Sequence, residues 1–298
     1  MHVLTVFSNI NSEIAQDIYN TICVDSGYII QKSEDYQDYV RFYFDGIKDS
    51  AENKNIFKSM RNLLYPKSID FLIQEPYLPI KLFCFDMDGT SLKIETMDSF
   101  CGFYLGLEKR KIMEEKTNLV IEGKMDYIQG FKDKIINLKN IKKDLIDDFY
   151  NSHIKNKEYT DGLVDFLSIA HNNKVKTALL SGGFTTFTDL LSKDLGFCYH
   201  HASNPDFTKD INNNLIFTGT ISDREIFTDK NKKEKLIEYR NYLSLDKYNV
   251  CAIGDGSNDI KMLQEAGLGI AYKAKQIVKD SVDNWIEFND FTILQNLI

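Results

Sequence analysis

The chain has 298 residues, of which 43% are hydrophobic and 27% charged, and its formal net charge is −8. This length and composition exclude a disordered or fibrous protein and indicate a globular one with two or three structural units. The acidic balance disfavours nucleic acid and anionic membranes as partners, because both require a basic surface. We find no apolar run long enough to cross a bilayer and no signal-peptide pattern at the start, so we expect a cytoplasmic protein.

The five cysteines are odd in number, widely spaced and without a Cys-x-x-Cys pair. This usage disfavours both a disulfide framework and a zinc site. We therefore expect reduced thiols, of which those inside apolar strand patterns act as small buried side chains.

Residues 1–75 alternate between strand and helix patterns in the order β-α-β-β-α-β, which is the ferredoxin-like plan. One predicted strand ends at the turn signal Asp45-Gly46, and residues 76–80 form a predicted linker at a proline-containing stretch. The unit resembles the amino-acid-binding regulatory modules called ACT domains. The resemblance implies an amino-acid effector or a role in forming a homodimer. Ser8 to Ser12 stand where such modules carry a glycine-bearing turn, so both roles remain open.

From residue 81 onward, short apolar strands end in polar, glycine-bearing turns that precede helices. Such alternation predicts an α/β fold with a parallel, Rossmann-like sheet whose ligand site lies at the carboxyl ends of its strands. We assign residues 81–92 and 161–298 to this core. The intervening residues 93–160 have helical periodicity and no proline, so we expect a helical cap over the sheet edge.

The stretch Asp86-Met87-Asp88-Gly89-Thr90 places two carboxylates where an apolar strand ends. In an extended chain every second side chain points to the same side, so both carboxylates do so. Two carboxylates this close repel each other and require a cation or a shared proton. Magnesium suits such an all-oxygen site. An EF-hand is excluded because its sixth and twelfth positions would be Ser91 and Met97. By itself the stretch could also be a solvated turn.

Three later segments carry further chemistry. Ser181-Gly182-Gly183 follows an apolar strand and is expected to open a helix, where a hydroxyl and bare amides would cradle a phosphate. Lys232 lies on a charged helix, and Asp255, Asn258 and Asp259 follow another strand. Taken singly, each segment has an ordinary alternative as a flexible turn or a solvated helix face.

In order and spacing the four segments resemble the haloacid dehalogenase superfamily, and within it the phosphoserine phosphatases. The likeness extends from about residue 80 to the end of the chain. It rests on Asp-Met-Asp-Gly-Thr at 86–90, Ser-Gly-Gly-Phe-Thr at 181–185, Gly-Asp-Gly-Ser-Asn-Asp at 254–259 and Ala-Gly-Leu-Gly-Ile-Ala-Tyr at 266–272.

The resemblance implies that Asp86 is a nucleophile that forms an aspartyl-phosphate and that Asp88 is the general acid and base. It implies a Mg²⁺ cofactor held by the Asp86 carboxylate, the Asp88 carbonyl and Asp255.

The resemblance also assigns the phosphoryl-binding groups, with Lys230 and Lys233 as alternatives for the lysine. Ser181, Gly182, Gly183 and Lys232 would hold the phosphoryl oxygens, and Asn258 and Asp259 would support the site.

For the cap, the resemblance places Glu95 against a substrate amine and Tyr127, in the segment 123–127, over the pocket. Lys134 stands where the family has an arginine that binds the substrate carboxylate, and a lysine binds only as a point charge. The expected partner is a small phosphorylated amino acid, first phosphoserine. The alternatives are a hydrolase or phosphotransferase for another small phosphomonoester, and a catalytically idle amino-acid sensor.

Overall fold

The computed structural model describes residues 1–45, 50–121 and 124–298. Ten strands form one sheet in the order β2-β3-β1-β4-β12-β11-β10-β5-β6-β7, and two more form a hairpin. The first six elements are β1 His2–Val6, α1 Ser12–Asn20, β2 Ile29–Asp35, β3 Val40–Asp45, α2 Ser50–Leu64 and β4 Phe71–Gln74.

The remaining elements alternate strands with helices after one long helical insert. They are β5 Leu82–Phe85, α3 Thr96–Leu105, α4 Leu107–Ile121, α5 Tyr127–Ile135, α6 Asp144–Phe149, α7 Leu163–Asn172, β6 Lys176–Phe184, α8 Thr185–Leu195 and β7 Tyr199–Ser203. They continue with β8 Phe207–Lys209, β9 Leu215–Phe217, α9 Asp229–Tyr242, β10 Val250–Gly254, α10 Ile260–Glu265, β11 Leu268–Tyr272, α11 Gln276–Lys279 and β12 Asn284–Ile286.

The N-terminal unit has the predicted β-α-β-β-α-β order, and its strands pair antiparallel in the order β2-β3-β1-β4. Its two helices cover the sheet because their apolar faces, which include Ile18 and Met60, are fully buried against the strands. Asn11 caps α1 by accepting a hydrogen bond from the Ile14 amide at 2.9 Å. Gly46 of the predicted turn lies outside the described residues.

The second unit confirms the predicted α/β fold. Its strands β12, β11, β10, β5, β6 and β7 pair in parallel, with β5 between β10 and β6. Both faces of β5 are buried, with Leu82 and Cys84 on one face and Phe83 and Phe85 on the other. A continuous apolar run is what a central parallel strand requires, since helices cover both of its faces.

The two units share one sheet because β4 pairs antiparallel with β12. The Asn284 side chain strengthens this contact by accepting from the Ile73 amide at 2.8 Å and donating to the Ile73 carbonyl at 3.1 Å. The buried Asp70 carboxylate accepts hydrogen bonds from the backbone amides of Glu287, Phe288 and Asn289 at 2.8–2.9 Å. The units are therefore joined along a sheet edge as well as through residues 76–80, and the domain boundaries stay a prediction.

The insert lies over the carboxyl end of the sheet, and in residues 93–121 and 124–160 its regular elements are helical. The hairpin of β8 and β9, which the sequence does not predict, extends from the core to this insert. Its Leu215 and Phe217 carbonyls accept hydrogen bonds from the amides of Lys143 and Asn140 at 2.8 and 2.9 Å. None of the helices in the described ranges is long and apolar enough to span a membrane.

Candidate active site

The loop after β5 carries Asp86, whose side chain is buried at the carboxyl end of the sheet. The Asp86 amide donates to the Ile253 carbonyl at 2.9 Å, which fixes the loop to β10. The Ser91 hydroxyl donates to the Asp86 carbonyl at 2.6 Å and closes the turn. Gly89 supplies the turn with a φ of +74°, a conformation that favours glycine.

Lys232 lies in the first turn of α9, where Thr228 and Asn231 form a capping box. Its side chain is fully buried, and its ammonium group contacts Asp86 Oδ1 and lies 2.6 Å from Asp259 Oδ1. The alternatives Lys230 and Lys233 are much more exposed and pair with Glu234 and Glu265 respectively. The structure therefore brings Lys232, and neither of these neighbours, into the site.

Asp255 and Asp259 follow β10, the strand that pairs with β5. Asp255 Oδ1 accepts a hydrogen bond from the Thr90 hydroxyl at 3.0 Å. Asp259 Oδ2 accepts from the Gly256 amide at 3.0 Å, while its Oδ1 contacts Lys232. Both oxygens of Asp259 are thus engaged, which suits the supporting role predicted for it.

The carboxylates of Asp86, Asp255 and Asp259 each place an oxygen within 4.8 Å of the others. This cluster fits a hard divalent cation, which prefers carboxylate and carbonyl oxygens. The predicted ligand set contains the Asp88 carbonyl instead of the Asp259 carboxylate. Because both oxygens of Asp259 are already engaged by Lys232 and the Gly256 amide, Asp86 and Asp255 are the carboxylates best placed to hold a metal ion.

Burial and mutual repulsion shift the acids of the site toward their protonated forms. Burial, together with Asp259, raises the pKa of Asp86 well above its ordinary value, although Lys232 opposes the shift. Burial, with Asp259 adding to it, raises the pKa of Asp255 to about 7. Burial opposes the charge on Lys232, but Asp259 and Asp86 raise its pKa above the ordinary value. A cluster with this excess of acids requires protons or a cation.

Asp88 lies in the same loop and faces the cap. Its Oδ1 accepts a hydrogen bond from the Thr96 amide at 2.8 Å, and its Oδ2 lies 3.5 Å from the Ser181 hydroxyl. Burial, and then the nearby charge of Glu95, raise the pKa of Asp88 to about 7. Asp88 can therefore carry a proton near neutral pH, as a general acid must.

Ser181, Gly182 and Gly183 lie at the carboxyl edge of the sheet, and the predicted helix follows them, but it begins later than expected. Strand β6 continues through them because Phe184 still pairs with Ser203 of β7, and α8 begins only at Thr185. The Ser181 hydroxyl accepts a hydrogen bond from the Gly183 amide at 2.9 Å. A phosphate would therefore meet strand-end amides and not a helix N-terminus.

A cavity of about 140 Å³ lies between the cap and the core. The predicted residues that line it are Asp86, Asp88, Glu95, Tyr127, Lys134, Gly182, Gly183, Asp255 and Asn258. Ser181 and Lys232 contact the lining carboxylates Asp88 and Asp86. The structure thus gathers the predicted residues around one cavity, while their roles stay predictions. Gly123 of the cap segment lies outside the described residues.

Two glycines make room for neighbouring side chains, one from the cap and one from the core. A Cβ atom on Gly182 would lie 2.6 Å from the Tyr127 hydroxyl oxygen, and one on Gly183 would lie 3.1 Å from Asp88 Oδ2. Tyr127 follows Asp126, which caps α5 through the Gln129 amide at 3.1 Å. Gly182 therefore makes room for the cap residue predicted to cover the pocket, and Gly183 makes room for Asp88.

Lys134, the predicted carboxylate-binding residue, already has partners within the protein. Its ammonium nitrogen lies 2.7 Å from Asp98 Oδ1 and donates to the Thr117 hydroxyl at 2.9 Å. Glu95 lines the same cavity, and burial raises its pKa although Lys134 opposes the shift. Sequence reasoning missed Asp98, although its spacing of three from Glu95 places both near one side of a helix.

The chain is similar to known proteins in both sequence and structure. Residues 80–267 match the haloacid dehalogenase-like hydrolase family. A phosphoserine phosphatase of Lactococcus lactis subsp. lactis is 30% identical over 217 residues, which cover 72% of this chain and 94% of that protein. A phosphoserine phosphatase of Archaeoglobus fulgidus is 29% identical over 259 residues, covering 85% of this chain and 70% of the relative.

Solved structures of proteins from the same family are similar to this chain. The crystal structure of a HAD family hydrolase from Salmonella enterica serovar Typhi matches with a TM-score of 0.82 and 25% identity, covering 100% of this chain and 98% of that one. A phospho-aspartyl intermediate analogue of phosphoserine phosphatase matches with a TM-score of 0.62 and 27% identity, covering 74% of this chain and 99% of that one.

Proposed function

Because the chain belongs to the haloacid dehalogenase-like hydrolase family, we propose that it is a magnesium-dependent phosphatase that hydrolyses O-phosphoserine to serine and phosphate. One observation supports this most strongly. Asp86 is buried, contacts Lys232, lies close to Asp255 and lines a small cavity. The named relatives, which are phosphoserine phosphatases, support the choice of substrate.

In the first half-reaction Asp86 attacks phosphorus. Lys232 engages Oδ1, which leaves Oδ2 to form the bond to phosphorus while the bond between phosphorus and the serine oxygen breaks. Lys232, the Ser181 hydroxyl and the amides of Gly182 and Gly183 stabilise the charge on the phosphoryl oxygens. Asn258 lines the cavity and can donate to the same group.

Asp88 transfers the protons. A pKa of about 7 lets the Asp88 carboxyl give its proton to the departing serine oxygen at neutral pH. In the second half-reaction the Asp88 carboxylate takes a proton from water as the water oxygen attacks phosphorus. The bond between phosphorus and Asp86 then breaks, which releases phosphate and restores both acids.

The residues fit a Mg²⁺ ion, since buried carboxylates gather here around a single ammonium group. Asp86, Asp255 and the Asp88 carbonyl would hold the ion. When bound, it would neutralise negative charge that otherwise repels a phosphate ester.

The cap would select the substrate. Glu95 lines the cavity and would pair with the substrate amine, and Tyr127 would cover the pocket above Gly182. Lys134 donates to the Thr117 hydroxyl and forms an ion pair with Asp98, and its ammonium group would also pair with a substrate carboxylate. We also propose a cytoplasmic location. An amino-acid effector of the N-terminal unit and a homodimer stay predictions.

The proposed function is tested by measuring phosphate release from phosphoserine, once with Mg²⁺ and once with a chelator. We expect Mg²⁺-dependent turnover that falls at least about a thousandfold in Asp86→Asn, because an amide is a poor nucleophile. Asp38→Asn changes an exposed acid in the same way and should retain full activity. Full activity in Asp86→Asn would refute the mechanism. No release from any phosphomonoester would instead favour an idle amino-acid sensor.

A further inference from the structure

A buried charge pair lies at the cap end of the cavity, away from the reacting acids. Asp98 is in α3 and is 2% exposed, and Lys134 is in α5. The distance from Lys134 Nζ to Asp98 Oδ1 is 2.7 Å. Such a pair interacts strongly because little water screens it.

Lys134 lines the cavity, and Asp98 lies behind it, outside the lining residues. Lys134 donates a hydrogen bond to the Thr117 hydroxyl at 2.9 Å and forms an ion pair with Asp98. A ligand in the cavity therefore meets a lysine that is held in place and already has a counter-ion.

The charges at this end of the cavity do not favour a second anionic group on the ligand. Glu95 lines the cavity, so two carboxylates, Glu95 and Asp98, act on the ammonium group of Lys134 at this end. Two other lysines line the cavity. Lys116 pairs with Asp133 at 2.9 Å, and the positive charge of exposed Lys275 opposes the rise in the pKa of Glu95 and Asp255. A ligand ammonium group is stabilised here, whereas a ligand carboxylate gains little.

We propose that Asp98 is a specificity-determining positioning residue, which holds Lys134 and cancels its charge. The pocket then takes amino-bearing small phosphomonoesters with little preference for those that also carry a carboxylate. This inference rests on the proposed function and narrows its substrate class. Asp98 touches no substrate and acts through Lys134.

The test compares three substrates by kcat/KM in the full-length enzyme with Mg²⁺. Phosphoserine has an amine and a carboxylate, phosphoethanolamine has the amine alone, and glycerol 3-phosphate has neither group. We expect the wild type to prefer phosphoserine over phosphoethanolamine by no more than about tenfold, since the carboxylate adds little binding energy.

Asp98→Asn keeps the shape and removes the charge that cancels Lys134. The preference for phosphoserine should rise at least about tenfold, mainly through a lower KM, because Lys134 then has the substrate carboxylate as its counter-ion. Activity on glycerol 3-phosphate should change by less than about twofold, since that substrate has no group facing Lys134. Asp98→Glu retains the charge and should restore the wild-type preference.

Asp133→Asn is the matched control, because Asp133 also pairs with a lining lysine but is 30% exposed. Water replaces the lost partner there, so the preference should stay unchanged. The inference is overturned if the wild type prefers phosphoserine by more than about a hundredfold, or if folded Asp98→Asn keeps the wild-type preference. Failure of the wild type on all three substrates would instead overturn the proposed function, and the inference with it.

Discussion

Gly89 shows how one residue sets the spacing of the acids. Its φ of +74° turns the chain directly after Asp88, and a Cβ atom here would lie 2.7 Å from Asp255 Oδ2. The sequence alone indicates the turn, because glycine is the residue that adopts this conformation readily. The close approach of Asp255 could not be predicted from local sequence, since Asp255 lies 165 residues after Thr90, at the end of a distant strand.

Gly89→Ala should displace Asp255 and weaken metal binding. We expect the Mg²⁺ concentration for half-maximal phosphate release to rise at least about tenfold, as for other changes that displace a metal ligand. Gly196→Ala is the control, because Gly196 has a φ of +76° and nothing within 4 Å of its added Cβ atom. Both variants share the backbone strain, so an equal Mg²⁺ requirement in both would contradict this account of Gly89.

Helix α9 has two chemically different faces although it is rich in lysine throughout. Lys232 and Leu236, one helical turn apart, are fully buried, whereas the Lys233 side chain is 43% exposed and pairs with Glu265. The choice of Lys232 from the sequence depended on family spacing, because every lysine of this helix fits a solvated face equally well. Burial, which follows from packing against α10 and β6, distinguishes them.

Lys232→Ala should lower turnover by at least about a hundredfold, because it removes the cation beside Asp86 and the phosphoryl group. Lys233→Ala should stay near wild type. Steady-state phosphate release measures both, and circular dichroism confirms that each variant is folded. Wild-type turnover in folded Lys232→Ala would remove this lysine from the mechanism.

Other elements depended on pairing between distant segments. The three core strands were predictable because each is an apolar run that ends in a polar turn. The extension of β6 through Ser181 to Gly183 was not, since it requires β7 as a partner. The hairpin of β8 and β9 was also missed, because its strands are three residues long and are held by the cap.

At the scale of the whole molecule, both units and the general position of the site follow from sequence periodicity and motifs. Their union into one sheet does not, because it depends on Asn284 meeting Ile73 from 211 residues away. The partner of Lys134 was hidden for a similar reason, since α3 and α5 meet only in the folded cap. The chemistry was therefore more predictable than the surroundings that select a substrate.

The central claim is that Asp86 carries the phosphoryl group during turnover. Acid quenching of the enzyme with phosphoserine and Mg²⁺, followed by peptide mass spectrometry, tests it most directly. We predict one phosphoryl group on the peptide that contains Asp86, and none on that peptide in Asp86→Asn. Rapid turnover without a modified Asp86 peptide, or a phosphoryl group trapped on a different residue, would contradict the account.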